Sequence, residues 1–407
     1  MHSCAVPWRL RTILMEPTND AVPVSPPADE SLVWGGPFFR VLESIGLQRP
    51  GYWHLAGRIL VLVAIGWLPL FLITAFLHPE ALMSLLRDYR VNSRLLIAVP
   101  AMLIGETLME SRFRAVLKHI RRAGLLDVSD LAYMEGIIAR LIRARDSFLP
   151  ELAILLLLIV HTTTSFRGLV DATPWLSRLA GSELHLTAAG WYAVLVSSAV
   201  FQFLIGVGLW KWLLWTFFAF KLSAQNLRLI PTHPDGHAGL GFLGLTSAAF
   251  APIAFSATAV IAATWRNDIL HHGAHLLDFK LPAIVLVVLI ALIALGPLAF
   301  FVPCLGAVRR SGILEYGILG QLHSSDFQEK WILHRAGREV DFPVALEITT
   351  LANFGQAYVR IEQMSPILAD KGSLYTLGAA VLIPALPMIL AQIPLAVIIG
   401  ELLKAVR

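Results

Sequence analysis

Seven stretches of this chain approach or exceed the roughly 20 apolar residues needed to cross a bilayer, and no soluble fold accommodates that many. The first is ILVLVAIGWLPLFLITAFL, residues 59–77. The others are 94–111, 149–168, a run from Ala189 into WKWLLWTFFAFKL, 242–264, 281–303 and 374–400. The chain is 57% hydrophobic and only 15% charged, against about 25% charged in a soluble domain. The expected fold class is therefore all-α, a polytopic transmembrane helical bundle of seven spans. The number falls to six if 94–111, which carries Glu106, does not cross. No alternating strand pattern and no internal repeat is visible, so the inverted repeats of many transporters are not evident.

The spans divide the chain. Residues 1–57 read as an N-terminal tail whose part 17–30, PTNDAVPVSPPADE, has a disordered composition. Residues 58–303 form the membrane bundle, spans one to six. Residues 304–373 form a cytoplasmic helical segment, and 374–407 hold the seventh span and the C-terminus. Within the bundle, 112–148 reads as a helical hairpin. Phe113, Val116, Leu117 and Ile120 recur at helical spacing, as do Leu131, Met134, Ile138, Leu141 and Ile142. Gly124 ends its first helix, and Asp127 or Ser129 caps its second. Its polar face carries Arg112, Arg114, Lys118, Arg121, Arg122, Arg140, Arg143 and Arg145. Flanking two spans directly, this block places the N-terminus in the cytoplasm and the C-terminus in the periplasm. The hairpin is expected to lie on anionic inner-leaflet lipid.

The net charge of +4 is a membrane-side signal and points to no nucleic-acid partner. Cys4 and Cys304 both fall on the cytoplasmic side, so no disulfide is expected. Lys211 sits among Trp210, Trp212 and Trp215 about 33 Å along the fourth helix, which reads as a lysine at the membrane interface.

Three sets of residues carry candidate chemistry. PTHPDGHAGLGFLG, 231–244, holds His233, Asp235, Gly239 and Gly241 at the start of the fifth span. Pro234 and Gly236 argue against a helix that would pair His233 with His237 on a metal. The G-x-G-x-x-G spelling lacks the strand that a dinucleotide fold requires. The loop reads as a helix-starting turn, with free N–H groups suited to an anion or lipid phosphate, and Asp235 as a cap. On the outer side, Asp268, His271, His275 and Asp278 share one face if 265–278 is helical, a donor set for zinc or for proton handling. The alternative there is a polar interfacial helix whose histidines meet headgroups and water. Within the spans, Glu106, His161, Gln202 and Gln392 are polar groups that mark a pathway or glue helices together. Pro384, Pro387 and Pro394, with Gly296 and Pro297, predict kinks in the last two spans. No nucleophile-and-base motif is present.

Together with LEYGILGQLHSSDFQEKW (314–331) and ITTLANF (348–354), the loop resembles a family of bacterial integral membrane proteins of unassigned function. His233, Pro234, Asp235, Gly239, Leu240, Gly241, Phe242 and Leu243 match that family's loop, and Ala238 stands where it has a glycine. The resemblance covers roughly 220–400. It implies a bacterial inner-membrane location and no particular activity. Three functions are consistent with these residues: a transporter or channel-like protein, a sensor or scaffold docking partners or further copies of itself through its cytoplasmic helices, and a metal-dependent membrane enzyme.

Overall fold

In the computed structural model, the described residues are 31–44, 46, 52–169, 173, 175–180, 183–271, 273–333 and 342–390. They form a helical bundle: α1 (Pro37–Ser44), α2 (Tyr52–Leu77), α3 (Tyr89–Arg122), α4 (Val128–Asp146), α5 (Leu149–Leu169), α6 (Ala188–Ser223), α7 (Ala251–His271), α8 (Lys280–Ala299), α9 (Val302–Phe327), α10 (Phe342–Glu362) and α11 (Lys371–Ile389). Among the described residues six helices are long and apolar enough to cross a membrane, or seven if α4 and α5, bent by 43° at their junction, count as one. The segment in question is thus the third span. The second, around Glu106, qualifies outright as part of α3. One strand pair escaped the sequence. Ser177–Ala180 and Glu183–Leu186 pair antiparallel beside Trp175, whose indole donates to Asp88 at 3.1 Å.

The alanine-rich α7 lies at the centre and packs most extensively on α11 and on the first turns of α3. Small side chains let the backbones approach. Ser93 then reaches the Ala259 carbonyl at 2.9 Å, and Ser256 reaches that of Ala98 at 3.0 Å. Of the prolines expected to kink the last two spans, Pro297 lies inside α8, and Pro384 and Pro387 lie inside α11. Pro394 lies outside the described residues.

The basic hairpin forms where expected. Gly124 takes φ +64° between its helices, and Arg121 clamps Glu135 through two bonds of 2.6 and 3.0 Å. Its apolar stripe packs against protein. Phe113 stacks on Trp215 of α6 at 3.9 Å, and Val116, Leu117, Met134, Ile138 and Leu141 join that buried cluster.

Part of the segment expected as a tail, 1–57, packs on the helices. Leu32 and Val33 are 2% and 1% exposed, so residues 31–44 are part of the bundle. The preceding residues, including Cys4 and 17–30, lie outside the described set.

Candidate functional site

Three charged side chains meet at one end of the bundle. Arg58 comes from the second turn of α2, Glu106 from mid-α3 and Lys211 from the C-terminal half of α6. Each carboxylate oxygen of Glu106 accepts from one cation, Oε2 from Arg58 and Oε1 from Lys211. Arg58 and Lys211 are 4% and 6% exposed. Burying three charges costs several kcal/mol per ion, offset only by close mutual pairing. Arg58 keeps its Nε buried with no hydrogen-bond partner. Lys211 is therefore an ion-paired buried group and not an interfacial one. Distance along a single helix cannot reveal a countercharge on its neighbour.

A second carboxylate, Glu151 of α5, lines the same cavity, whose volume is about 50 Å³. A single water needs roughly 10–15 Å³ on this measure, so the space admits a few waters or a small ion. The remaining walls are apolar, with Val33, Phe38 and Leu204 among them.

Residues 31–44 close this cavity from one side. Glu151 accepts the Phe38 N–H through both oxygens, at 2.9 and 3.2 Å, at the start of α1. Arg145 donates to the carbonyls of Ser31 and Trp34 and forks onto Asp146 at 2.9 and 2.8 Å. The Ser31 hydroxyl donates to Glu110, which also holds Arg114. Gly35 (φ +147°) and Gly36 (φ +100°) carry the chain past the Arg145 guanidinium, which occupies the space where a Gly35 Cβ would stand. Sequence reasoning flagged Glu106 but missed Arg58, Glu151 and this segment. The available signal was depth: in an N-in topology Arg58, Glu106 and Lys211 all fall at the inner ends of their spans.

The other pathway residues do not join this site. His161 is exposed on α5, and the threonines after it bond their own helix, Thr163 to Ile159 and Thr164 to Val160. Gln202 lies nine residues before Lys211, roughly 14 Å along α6, with its Oε1 buried and unpartnered. Gln392 lies outside the described residues.

The 231–244 loop does form a turn ahead of a short helix, Gly241–Gly244. Its N–H groups are not free for an outside anion. Asp235 takes those of His237, Gly239 and Gly241 at 2.9, 3.1 and 2.8 Å, while His233 Nδ1 sits 2.8 Å from its Oδ1. The loop carries its own anion. Ala238 adopts φ +55°, a left-handed conformation that favours glycine. The loop docks on the segment after α10, with Ser365 N–H donating to Gly236 and His237 Nδ1 3.0 Å from the Ser365 carbonyl.

Burial raises the Asp235 carboxyl, but the His237, Gly241 and Gly239 N–H groups and His233 outweigh it and hold it below the usual range. A depressed folded pKa contributes stability that is complete above the unfolded value, roughly 4, and is lost as pH falls through the folded one. Asp235→Ala is expected to cost about 2 kcal/mol at pH 7, since three backbone donors lose a charged acceptor. Thermal melts should show the gap from wild type narrowing as pH falls below the ordinary aspartate range, roughly 4.

The outer cluster loses its premise. Helix α7 ends at His271, Gly273 turns left-handed at φ +69°, and His275 begins a new turn capped by Asp278 at 2.8 Å. Asp268, His271, His275 and Asp278 therefore do not share one helical face. Among the described residues no three His, Cys, Asp or Glu side chains gather as a metal set.

The long apolar helices and the charges sealed among them define a multi-pass helical membrane protein. No family model, curated protein or solved structure matches the chain.

Proposed function

We propose that this chain is a bacterial inner-membrane protein of the transporter or channel type. Its polar entrance would be the cavity of Arg58, Glu106, Glu151 and Lys211, closed on the cytoplasmic side by residues 31–44. The observation that carries the reading is the Glu106 ion triad, buried beside that cavity. Structural helix glue is supplied more cheaply by serine and threonine bonds such as Ser256 to Ala98. Ionisable groups kept inside a membrane bundle tend to mark a pathway. The N-in orientation rests on the basic hairpin, and the bacterial location on the family resemblance of the 231–244 loop. The test is solute and ion flux into vesicles containing the purified protein, against protein-free vesicles. Flux above the empty control is expected; none across ions and small solutes of either charge sinks the reading.

One observation favours the second reading, a scaffold docking partners through its cytoplasmic helices. Leu314, Ile318 and Leu322 form an apolar stripe on α9 and are 68%, 64% and 57% exposed. If that stripe is a docking face, Ile318→Asp abolishes a crosslinked complex or homo-oligomer that forms with wild type. Unchanged crosslinking removes the stripe from consideration.

A further inference from the structure

A second cavity, of about 420 Å³, opens sideways between α3, α7 and α11. It exists because its three walls do not mesh. Between Phe255 and Arg266 the α7 wall offers only Ala259, Ala262 and Ala263. The α3 wall bulges in a π-helical turn over Ser93–Ala98. The α11 wall carries Pro384 and Pro387 inside the helix, two short side chains at the lining. Leu96, Ile97 and Ile383 stand exposed at its rim, 43%, 45% and 55%, so the cleft faces what surrounds the bundle. This cleft is separate from the Glu106 cavity and shares no lining residue with it.

One end of the cleft is cationic. Arg266 lies over the Tyr89 ring at 4.4 Å and donates to the Pro387 carbonyl at 3.3 Å, while its Nε is buried with no hydrogen-bond partner. Stacking and one long bond to a carbonyl leave the guanidinium's charge without a countercharge in these contacts. From Arg266 to Phe255, the lining residue farthest along α7, is eleven residues, about 16 Å of helix. That matches one leaflet of hydrocarbon, about half of a 30 Å core. An apolar cleft one leaflet deep with a single cation at its mouth has the chemistry of an amphiphile with an anionic head.

We propose that this cleft is a phospholipid site, with an acyl chain along the alanine face of α7 and the lipid phosphate on Arg266. Guanidinium recognises phosphate through a fork of donors, and basic pockets between membrane helices take anionic lipid heads. The bound lipid would fill the gap that the alanines leave between α7 and α11.

The experiment is native mass spectrometry of the full chain, purified in detergent and then titrated with phosphatidylglycerol. Wild type is expected to retain one lipid per chain. Arg266→Gln is expected to reduce retention at least tenfold by removing the phosphate contact. Ala263→Phe is expected to do the same by filling the cleft while Arg266 stays in place. Each variant's melting and elution profile shows whether it is folded, and if Arg266→Gln does not fold, Ala263→Phe decides. Wild type retaining no lipid, or both folded variants retaining it as wild type does, overturns the proposal.

Discussion

Glu106→Gln is expected to destabilise the protein by about 3–5 kcal/mol, since removing one partner strands the others as uncompensated buried charges. Arg58 and Lys211 are both almost wholly buried and both donate to this carboxylate. Glutamine preserves shape and one acceptor but supplies no charge against two cations. The effect is separable from general core damage by a double-mutant cycle. Lys211→Met alone should also destabilise, because Glu106 then shares a single cation. Glu106→Gln combined with Lys211→Met removes one charge of each sign and leaves only Arg58 to be accommodated. The pair should therefore be less damaging than the sum of its parts, with a coupling of about 2–3 kcal/mol. Thermal or denaturant unfolding of the detergent-purified variants checks this. Additive single effects would mean that the three groups do not act as a unit.

The second large effect is expected at Gly35. Alanine there must hold φ near +147° and must overlap the Arg145 guanidinium. The backbone strain costs about 1–3 kcal/mol, and moving Arg145 weakens charged bonds to Ser31 and Trp34 that contribute about 1.5–3 kcal/mol each. A total near 3 kcal/mol corresponds to more than a hundredfold rise in the population with residues 31–44 undocked. Hydrogen exchange should show Phe38 and its neighbours losing protection while α7 keeps it. Equal protection in Gly35→Ala and wild type would mean that Arg145 does not clamp this segment.

These residues also mark what was legible in the sequence. Apolar length alone fixed most spans, because a membrane helix must satisfy its backbone internally and so announces itself in one continuous run. The basic hairpin was legible for the same local reason: the 3.6-residue period of Phe113 to Ile120 and of Met134 to Leu141 is written within each helix. Glu106 was recognisable as an anomaly in an apolar run, but its role was not, since Arg58 and Lys211 lie 48 and 105 residues away. Residues 31–44 were hidden by a tail-like composition and by apolar runs of no more than three residues, such as Leu32–Trp34. What holds them is Arg145 and Glu151, more than a hundred positions on. At 231–244 the turn was local and visible, whereas the capture of three N–H groups by Asp235 depends on backbone path. The face expected for Asp268, His271, His275 and Asp278 required a helix through 265–278, and Gly273, at φ +69°, turns left-handed between His271 and His275.

The central claim is that the charges around Glu106 serve movement through the bundle and not merely its cohesion. The most direct measurement is flux into vesicles holding equal amounts of wild type and of the Glu106→Gln/Lys211→Met variant, both confirmed folded by their melting profiles. The account predicts flux with wild type and at least a tenfold loss with the double variant, in which the triad is dismantled while the bundle stands. Equal flux from the two proteins would contradict it and return the triad to a structural role.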